Sequence, residues 1–288
     1  MNKSKIRVAL SSVVAAFFLT IFKLIVGLST GSLGILSEAI HSVIDFFAAS
    51  ITWYAVHASD KPADREHHFG HGKIENLSAL IETILLLVVC VWIIAEALTR
   101  LTLGETQIDV TIWAYIVVVT SIVVDIFRAR ALKRAAKKYN SQALEADALH
   151  FSTDIWSSSV VLLGLICADF GYYFADSIAA LGVAFIVIIV SLRLGKRAVS
   201  ALLDTAPKGY VESVAKIISS INEIEHFHDL KVRTSGADFL VEVSIHVDSS
   251  LTIAQAHEIS SKVEDAICKK IKRTIVHVHI EPDSYHKK

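Results

Sequence analysis

The sequence predicts an α-helical membrane protein of six spans followed by a small soluble α+β domain, and three observations carry that prediction. Apolar residues make up 53% of the 288 positions and charged residues only 20%. The apolar excess falls in long runs that recur as far as about Gly195, and from Asp204 onward the composition is that of an ordinary soluble domain. Basic residues, finally, collect on alternate connections between the runs. The expected division is therefore a membrane domain over 1–203 and a tail domain over 204–288.

A span needs about 20 mostly apolar residues to cross the hydrocarbon core. Six segments qualify, at approximately 8–28, 33–57, 77–99, 109–128, 147–168 and 176–194. The first follows Lys3, Lys5 and Arg7, is too long for a signal-peptide core and lacks a small-residue cleavage site, so it reads as a retained span. The third (Thr83 to Ala95) and sixth (Val183 to Val190) are almost wholly apolar, whereas polar residues interrupt the second and fifth.

Fifteen basic residues flank the spans on one side: Lys3, Lys5, Arg7, Lys61, Arg65, Lys73, Arg128, Arg130, Lys133, Arg134, Lys137, Lys138, Arg193, Lys196 and Arg197. The other side has Arg100 alone, beside Glu105, Asp109 and Asp169. The positive-inside bias puts both termini and the tail in the cytoplasm, the cell membrane being the expected location. The basic, Gly- and Pro-free connection 130–142 reads as helical extensions of its neighbours. A formal net charge of −1 gives no reason to expect a nucleic-acid partner. Cys90, Cys167 and Cys268 are too scattered for a disulfide framework or a thiolate zinc site.

In the tail the periodicity changes. Val211, Val214, Ile218 and Ile221 recur at helical spacing. Leu230 and Val232 alternate with Lys231 and Arg233, a Ser235-Gly236 turn follows, and Phe239, Val241, Val243, Ile245 and Val247 alternate with more polar residues. A second helix is expected from Ile253 to Ile267, then a last strand through Val276, Val278 and Ile280. The order αββαβ puts two helices on one face of a sheet. A core this small gains from dimerisation or bound metal.

The second span contains His41-Ser-Val-Ile-Asp45 and the fifth His150-Phe-Ser-Thr-Asp154. Residues four apart on a helix lie one turn above each other on the same face. Two such helices side by side present two imidazoles and two carboxylates to one point, a donor set that suits tetrahedral Zn²⁺. An aspartate at the centre of a span costs about 2.5–3.5 kcal/mol, so such residues face the bundle interior and mark ion pathways. Separate polar helix–helix contacts are the plainer alternative, weakened by the motif's occurrence on two spans. Glu38 reads equally as an entry residue or a packing contact. Glu82, Asp125 and Asp176 read as solvated span ends.

These features together resemble the cation diffusion facilitator family over nearly the whole chain: six spans, polar pairs on the second and fifth, an αββαβ tail and the loop Lys61-Pro-Ala-Asp-Arg-Glu-His-His-Phe-Gly-His-Gly-Lys73. The resemblance implies a tail similar to ferredoxin-like metallochaperone domains and a homodimer that exchanges a divalent metal ion for protons across the lipid bilayer. It implies a transport site at His41, Asp45, His150 and Asp154, and a loop site at Asp64, His67 and His71, with His68 pointing elsewhere. It also implies a Lys73–Asp204 salt bridge joining the membrane and tail domains.

Read by strand period, His277, His279 and Glu281 share a face of the last strand, His246 lies opposite the apolar set of its own strand, and His257 sits on the neighbouring helix. The resemblance assigns a regulatory metal site in the tail to His228, His257, His279 and Glu281. Ser244 stands where some relatives carry a ligand histidine, and His246 is the candidate substitute.

The expected activity is proton-coupled export from the cytoplasm, with no prosthetic group and no enzymatic reaction. Zn²⁺ leads as substrate, with Fe²⁺, Cd²⁺, Co²⁺, Ni²⁺ and Mn²⁺ left open because affinity order alone does not confer selectivity. The alternatives are a passive metal channel, a membrane metal sensor and, more remotely, a membrane metallohydrolase, for which no HExxH motif is present. The absence of a GxxxxGK[ST] loop accords with transport without ATP.

Overall fold

The structure is a computed structural model that describes residues 3–30, 33–103, 112–169 and 174–283. Six long helices come first: α1 (Lys3–Thr30), α2 (Leu33–Ser59), α3 (Lys73–Leu103), α4 (Ile112–Tyr139), α5 (Gln142–Asp169) and α6 (Phe174–Leu202). The tail follows as α7 (Tyr210–Ile218), β1 (His226–Ser235), β2 (Asp238–Val247), α8 (Ile253–Lys270) and β3 (Thr274–Pro282). This is the predicted fold class. The chain divides into two compact units, Met1–Pro62 with Ile74–Val199, and Ala63–Lys73 with Ser200–Lys288. The loop between α2 and α3 thus belongs with the tail.

Among the described residues four stretches are long and apolar enough to cross a membrane: Lys3–Thr30, Ala39–Ser59, Lys73–Thr99 and Ile112–Tyr139. At about 1.5 Å per residue the 28 residues of α4 span about 42 Å, more than the roughly 30 Å hydrocarbon core. The surplus is the basic Arg130–Lys138 segment, a helical extension ended at Asn140, whose φ of 51° breaks the helix before α5.

Within the first unit α1 packs along α2 and α4 along α5, and α2 meets α5. Small residues make this close approach feasible: Ala9, Ala49, Ala129, Ala135, Ala136, Ala143 and Ala148 surround Val56, Leu132, Leu144 and Phe151. Gly195 on α6 serves the same purpose against α3, where a Cβ would stand 2.8 Å from the Thr83 methyl.

Ionisable groups are also buried here, Glu82, Asp125, Arg128 and Lys5 among them. Glu82 and Asp125 are not solvated span ends; both are buried inside the bundle. Glu82 accepts a hydrogen bond from Thr52, and Asp125 accepts one from Arg128 at 3.1 Å. Arg128, counted among the flanking cations, is itself buried; it also donates to Ser12 at 3.2 Å and lies 3.4 Å over the Phe151 ring. Lys5 is likewise buried and ion-paired with Glu75. A helix has its sides as well as its depth, and distance from a span end does not tell which side faces the bundle. The side chains of Glu38, Arg100, Cys167, Asp169 and Asp176, and residues Glu105 and Asp109, lie outside the described residues.

The tail forms a three-stranded sheet in the order β1-β2-β3, with β1/β2 antiparallel and β2/β3 parallel. Val241, Val243, Ile245 and Val247 of β2 pack with Val232, Val276, Val278 and Ile280 against Val214, Ile217 and Ile218 of α7 and Ile259, Val263 and Ile267 of α8. Both helices therefore cover one face. Thr252 and Gln255 cap α8 reciprocally, fixing where it starts.

Candidate metal sites

Asp45 and His150 are buried where α2 meets α5, with Asp154 one turn from His150 and His41 one turn from Asp45. Asp45 Oδ1 lies 3.7 Å from His41 Nε2 and 3.1 Å from His150 Nε2. The Asp154 carboxylate closes the ring, with Oδ1 3.7 Å from His41 Nε2 and Oδ2 3.9 Å from His150 Nε2. A tetrahedral ion with bonds of about 2.0–2.2 Å separates neighbouring donors by about 3.3–3.6 Å. Three of the four contacts are too long for hydrogen bonds and close to that edge length. His41, Asp45 and Asp154 offer donors that all lie within 4.8 Å of one another. His150 stands slightly further round, where its ring donates to Asp45. Asp154 Oδ2 and His150 Nδ1 are buried and make no hydrogen bond, an arrangement that disfavours an empty site.

His41, Asp45 and Asp154 line a cavity of about 420 Å³ shared with Lys23, Glu96 and Asp125. Lys23 and Glu96 sit in the later parts of α1 and α3, and Ser177, also in the lining, opens α6. The cavity therefore extends from the site toward the helix ends remote from Lys3. On the other side of the site, Arg128, Phe151, Ser12 and Asp147 are packed together; Ser12 donates to Asp147 at 3.4 Å. The sequence reading passed over Lys23 and Asp147, although an ionisable residue within a span is itself a signal.

The loop residues Asp64, His67 and His71 form a second cluster. Asp64 Oδ1 lies 3.2 Å from His67 Nδ1 and Oδ2 3.4 Å from His71 Nε2. The backbone N–H groups of His67 and Glu66 donate to Asp64, chiefly that of His67, and hold its carboxyl below the usual aspartate range. His68 turns away, 3.1 Å from the Arg65 carbonyl. The rest of the loop is fastened within the same unit. Lys73 Nζ meets Asp204 Oδ1 at 2.8 Å, and Arg233 lies 3.4 Å from Asp204 Oδ2 and 4.4 Å over the Phe69 ring. Gly72 abuts Ser235 so closely that a Cβ would stand 2.4 Å from the Ser235 carbonyl oxygen.

In the tail the polar residues share the sheet face that α7 and α8 leave uncovered. His228, Ser244 and His279 are register partners, as are His246 and Glu281. His228, His246 and His279 each place Nε2 3.6 Å from a Glu281 oxygen. His257 stands apart, exposed on α8, the layer against the opposite face.

Residues 9–203 match the family model for the cation efflux transmembrane domain, and residues 206–283 match that for the cation efflux protein cytoplasmic domain, a dimerisation domain. The chain is 30% identical to the cation-efflux pump FieF of Citrobacter koseri and 29% identical to that of Escherichia fergusonii, in each case over 96% of this chain and 93% of the relative. A solved structure of CzrB in its Zn form is 23% identical and covers 28% of this chain and 94% of its own, with a TM-score of 0.27. The protein is thus an integral membrane transporter rather than an enzyme, and it belongs to the cation diffusion facilitator family of divalent-metal efflux proteins.

Proposed function

We propose that the protein exports Zn²⁺ from the cytoplasm in exchange for protons, through a site made by His41, Asp45, His150 and Asp154. The observation that carries this reading is the closed ring of imidazole–carboxylate contacts at 3.1–3.9 Å. Two nitrogen and two oxygen donors suit Zn²⁺, and Fe²⁺, Cd²⁺, Co²⁺, Ni²⁺ and Mn²⁺ are tested beside it.

Ligands must be deprotonated to bind metal, so loading releases protons from the His and Asp side chains, and unloading takes them up. With the basic span ends and both termini in the cytoplasm, the cavity lies on the extracytoplasmic side of the site, and the Arg128–Phe151 layer closes the cytoplasmic side. This is an outward-facing state, in which metal leaves and protons enter. Return to the inward-facing state carries those protons into the cytoplasm.

The working form is a homodimer in the cell membrane, with residues 1–203 conducting the ion and 204–288 sensing it. Asp64, His67 and His71 hold a second ion at the loop. His228, His246, His279 and Glu281 hold a regulatory ion in the tail, and His257, exposed on α8 in the layer against the opposite face, stands outside this set. Metal in the tail favours one transport state only by binding it more tightly than the other.

The test is metal flux into vesicles by the purified protein and by Asp154→Ala and His150→Ala, with every metal named above. Loss of flux in both variants supports the site. Normal flux in either removes it. Flux with Fe²⁺ or Mn²⁺ but not Zn²⁺ keeps the site and overturns the metal.

A further inference from the structure

We infer a further cation site in the tail, formed by His226, His246 and Asp283, with two nitrogen donors and one oxygen donor for a divalent ion of the Zn²⁺, Co²⁺ or Ni²⁺ class. It uses two residues that neither the transport site nor the Glu281 cluster uses, and it does not rest on the transport reading.

The strand register builds it. His226 of β1 is the direct partner of His246 of β2, and His246 is the direct partner of Glu281 of β3. Asp283 directly follows Pro282, the last residue of β3, and so leaves the strand beside Glu281. His226 Nδ1 lies 3.7 Å from Asp283 Oδ1. One donor from each of His226, His246 and Asp283 falls within 4.8 Å of the other two.

Two features distinguish this arrangement from a chance group of surface histidines. His246 is fully buried although it lies on the sheet face that α7 and α8 leave uncovered. What covers it is imidazole: the His226 ring stacks on it at 3.8 Å and 12°, and the His228 ring lies 5.1 Å away. Stacked rings cannot both aim an in-plane lone pair at one ion, so binding requires the half-exposed His226 ring to turn about its Cβ–Cγ bond out of the stack. The spacing is also that of ligands around an ion. The His226–Asp283 contact is too long for a hydrogen bond, yet it is close to the edge of about 3.3–3.6 Å around a tetrahedral Zn²⁺. His226 and Asp283 are about two-fifths exposed, so the site opens to solvent and water can complete the coordination. Two imidazoles with one carboxylate select borderline ions over Mg²⁺ or Ca²⁺, which favour oxygen.

The test counts metal on the full-length protein in detergent. A parent variant carrying Asp45→Ala, His71→Ala and Glu281→Ala removes a ligand from each of the other three clusters. It is titrated with Co²⁺, whose visible absorption reports coordination. One equivalent per chain is expected, and adding His226→Ala or Asp283→Ala weakens it at least tenfold. A parent that binds no Co²⁺, or one whose binding is unchanged by His226→Ala, overturns the site. His226→Gln in the otherwise native chain provides a check on folding. Its melting temperature without metal should match that of the native chain, so that the loss of Co²⁺ from the parent on adding His226→Ala reports a lost ligand and not an unfolded tail. Zn²⁺ flux measured on the same variants separates this inference from the transport reading, since failure of that reading appears in the flux and not in the Co²⁺ count.

Discussion

Replacing Asp45 by asparagine exchanges one carboxylate oxygen for an NH₂ group, removes the negative charge and leaves the side chain's shape almost untouched. Asp45 Oδ1 is the atom that both imidazoles approach, at 3.7 Å from His41 and 3.1 Å from His150. Structural zinc sites of four ligands in zinc-finger peptides bind with about 10–16 kcal/mol, which taken as a guide gives about 2.5–4 kcal/mol for each ligand if shared evenly. At about 1.4 kcal/mol per factor of ten, loss of one ligand weakens binding by roughly 10²–10³. Folding should not suffer, because an aspartate in a span costs about 2.5–3.5 kcal/mol that asparagine largely avoids, and His150 can still donate to the amide oxygen. The assay is Zn²⁺ transport into proteoliposomes across a range of concentrations, with thermal unfolding measured in parallel. The expected result is an apparent KM at least 100-fold higher at unchanged thermal stability. A KM within about threefold of the native protein would refute the ligand assignment and the even-sharing estimate.

Other substitutions probe the surroundings of the sites. Arg128→Met leaves Asp125 buried without its guanidinium partner, and the first unit should lose about 3–5 kcal/mol, read as a lower unfolding temperature in detergent. Gly72→Ala drives a Cβ into the Ser235 carbonyl and should destabilise the second unit by about 1–3 kcal/mol while exposing the 63–73 loop to protease. The hydrogen bond from Lys73, aided by Arg233, holds the Asp204 carboxyl below its ordinary value of 3.8. A depressed acid pKa adds stability that is fully present above the unfolded value and is lost as pH falls through the folded one. Thermal unfolding of the native protein should therefore fall more steeply below about pH 4 than that of Asp204→Asn; parallel curves would contradict the pairing.

The two His-x-x-x-Asp pairs were legible because a spacing of four on a helix fixes a shared face whatever the rest of the bundle does. The tail's order of elements was legible for a similar reason, since the alternation in β2 and the helical spacing of Ile259, Val263 and Ile267 are local patterns. Rotation of a helix toward its neighbours is not local. Glu82, Asp125 and Arg128 were therefore read as solvated or flanking when they are buried and partnered. Strand pairing is not local either. His226 acquires meaning only once the register sets it beside His246, and Asp283 only once β3 lies parallel to β2. His257 was placed on the correct helix by its period, but the sequence did not say that α8 covers the face opposite the histidines. The contact of Gly72 with Ser235 joins segments far apart in the chain, and neither segment alone carries a sign of it.

In the proposed mechanism metal and protons move in opposite directions through one site. Proteoliposomes holding the native protein, with a zinc-sensitive dye and a pH-sensitive dye inside, test it most directly under an imposed pH gradient. Zn²⁺ and proton fluxes of opposite direction are expected to begin together, reverse when the gradient is reversed, and vanish together in Asp154→Ala. Zn²⁺ movement that ignores the pH gradient, with no proton flux, would contradict it and make the protein a passive metal channel.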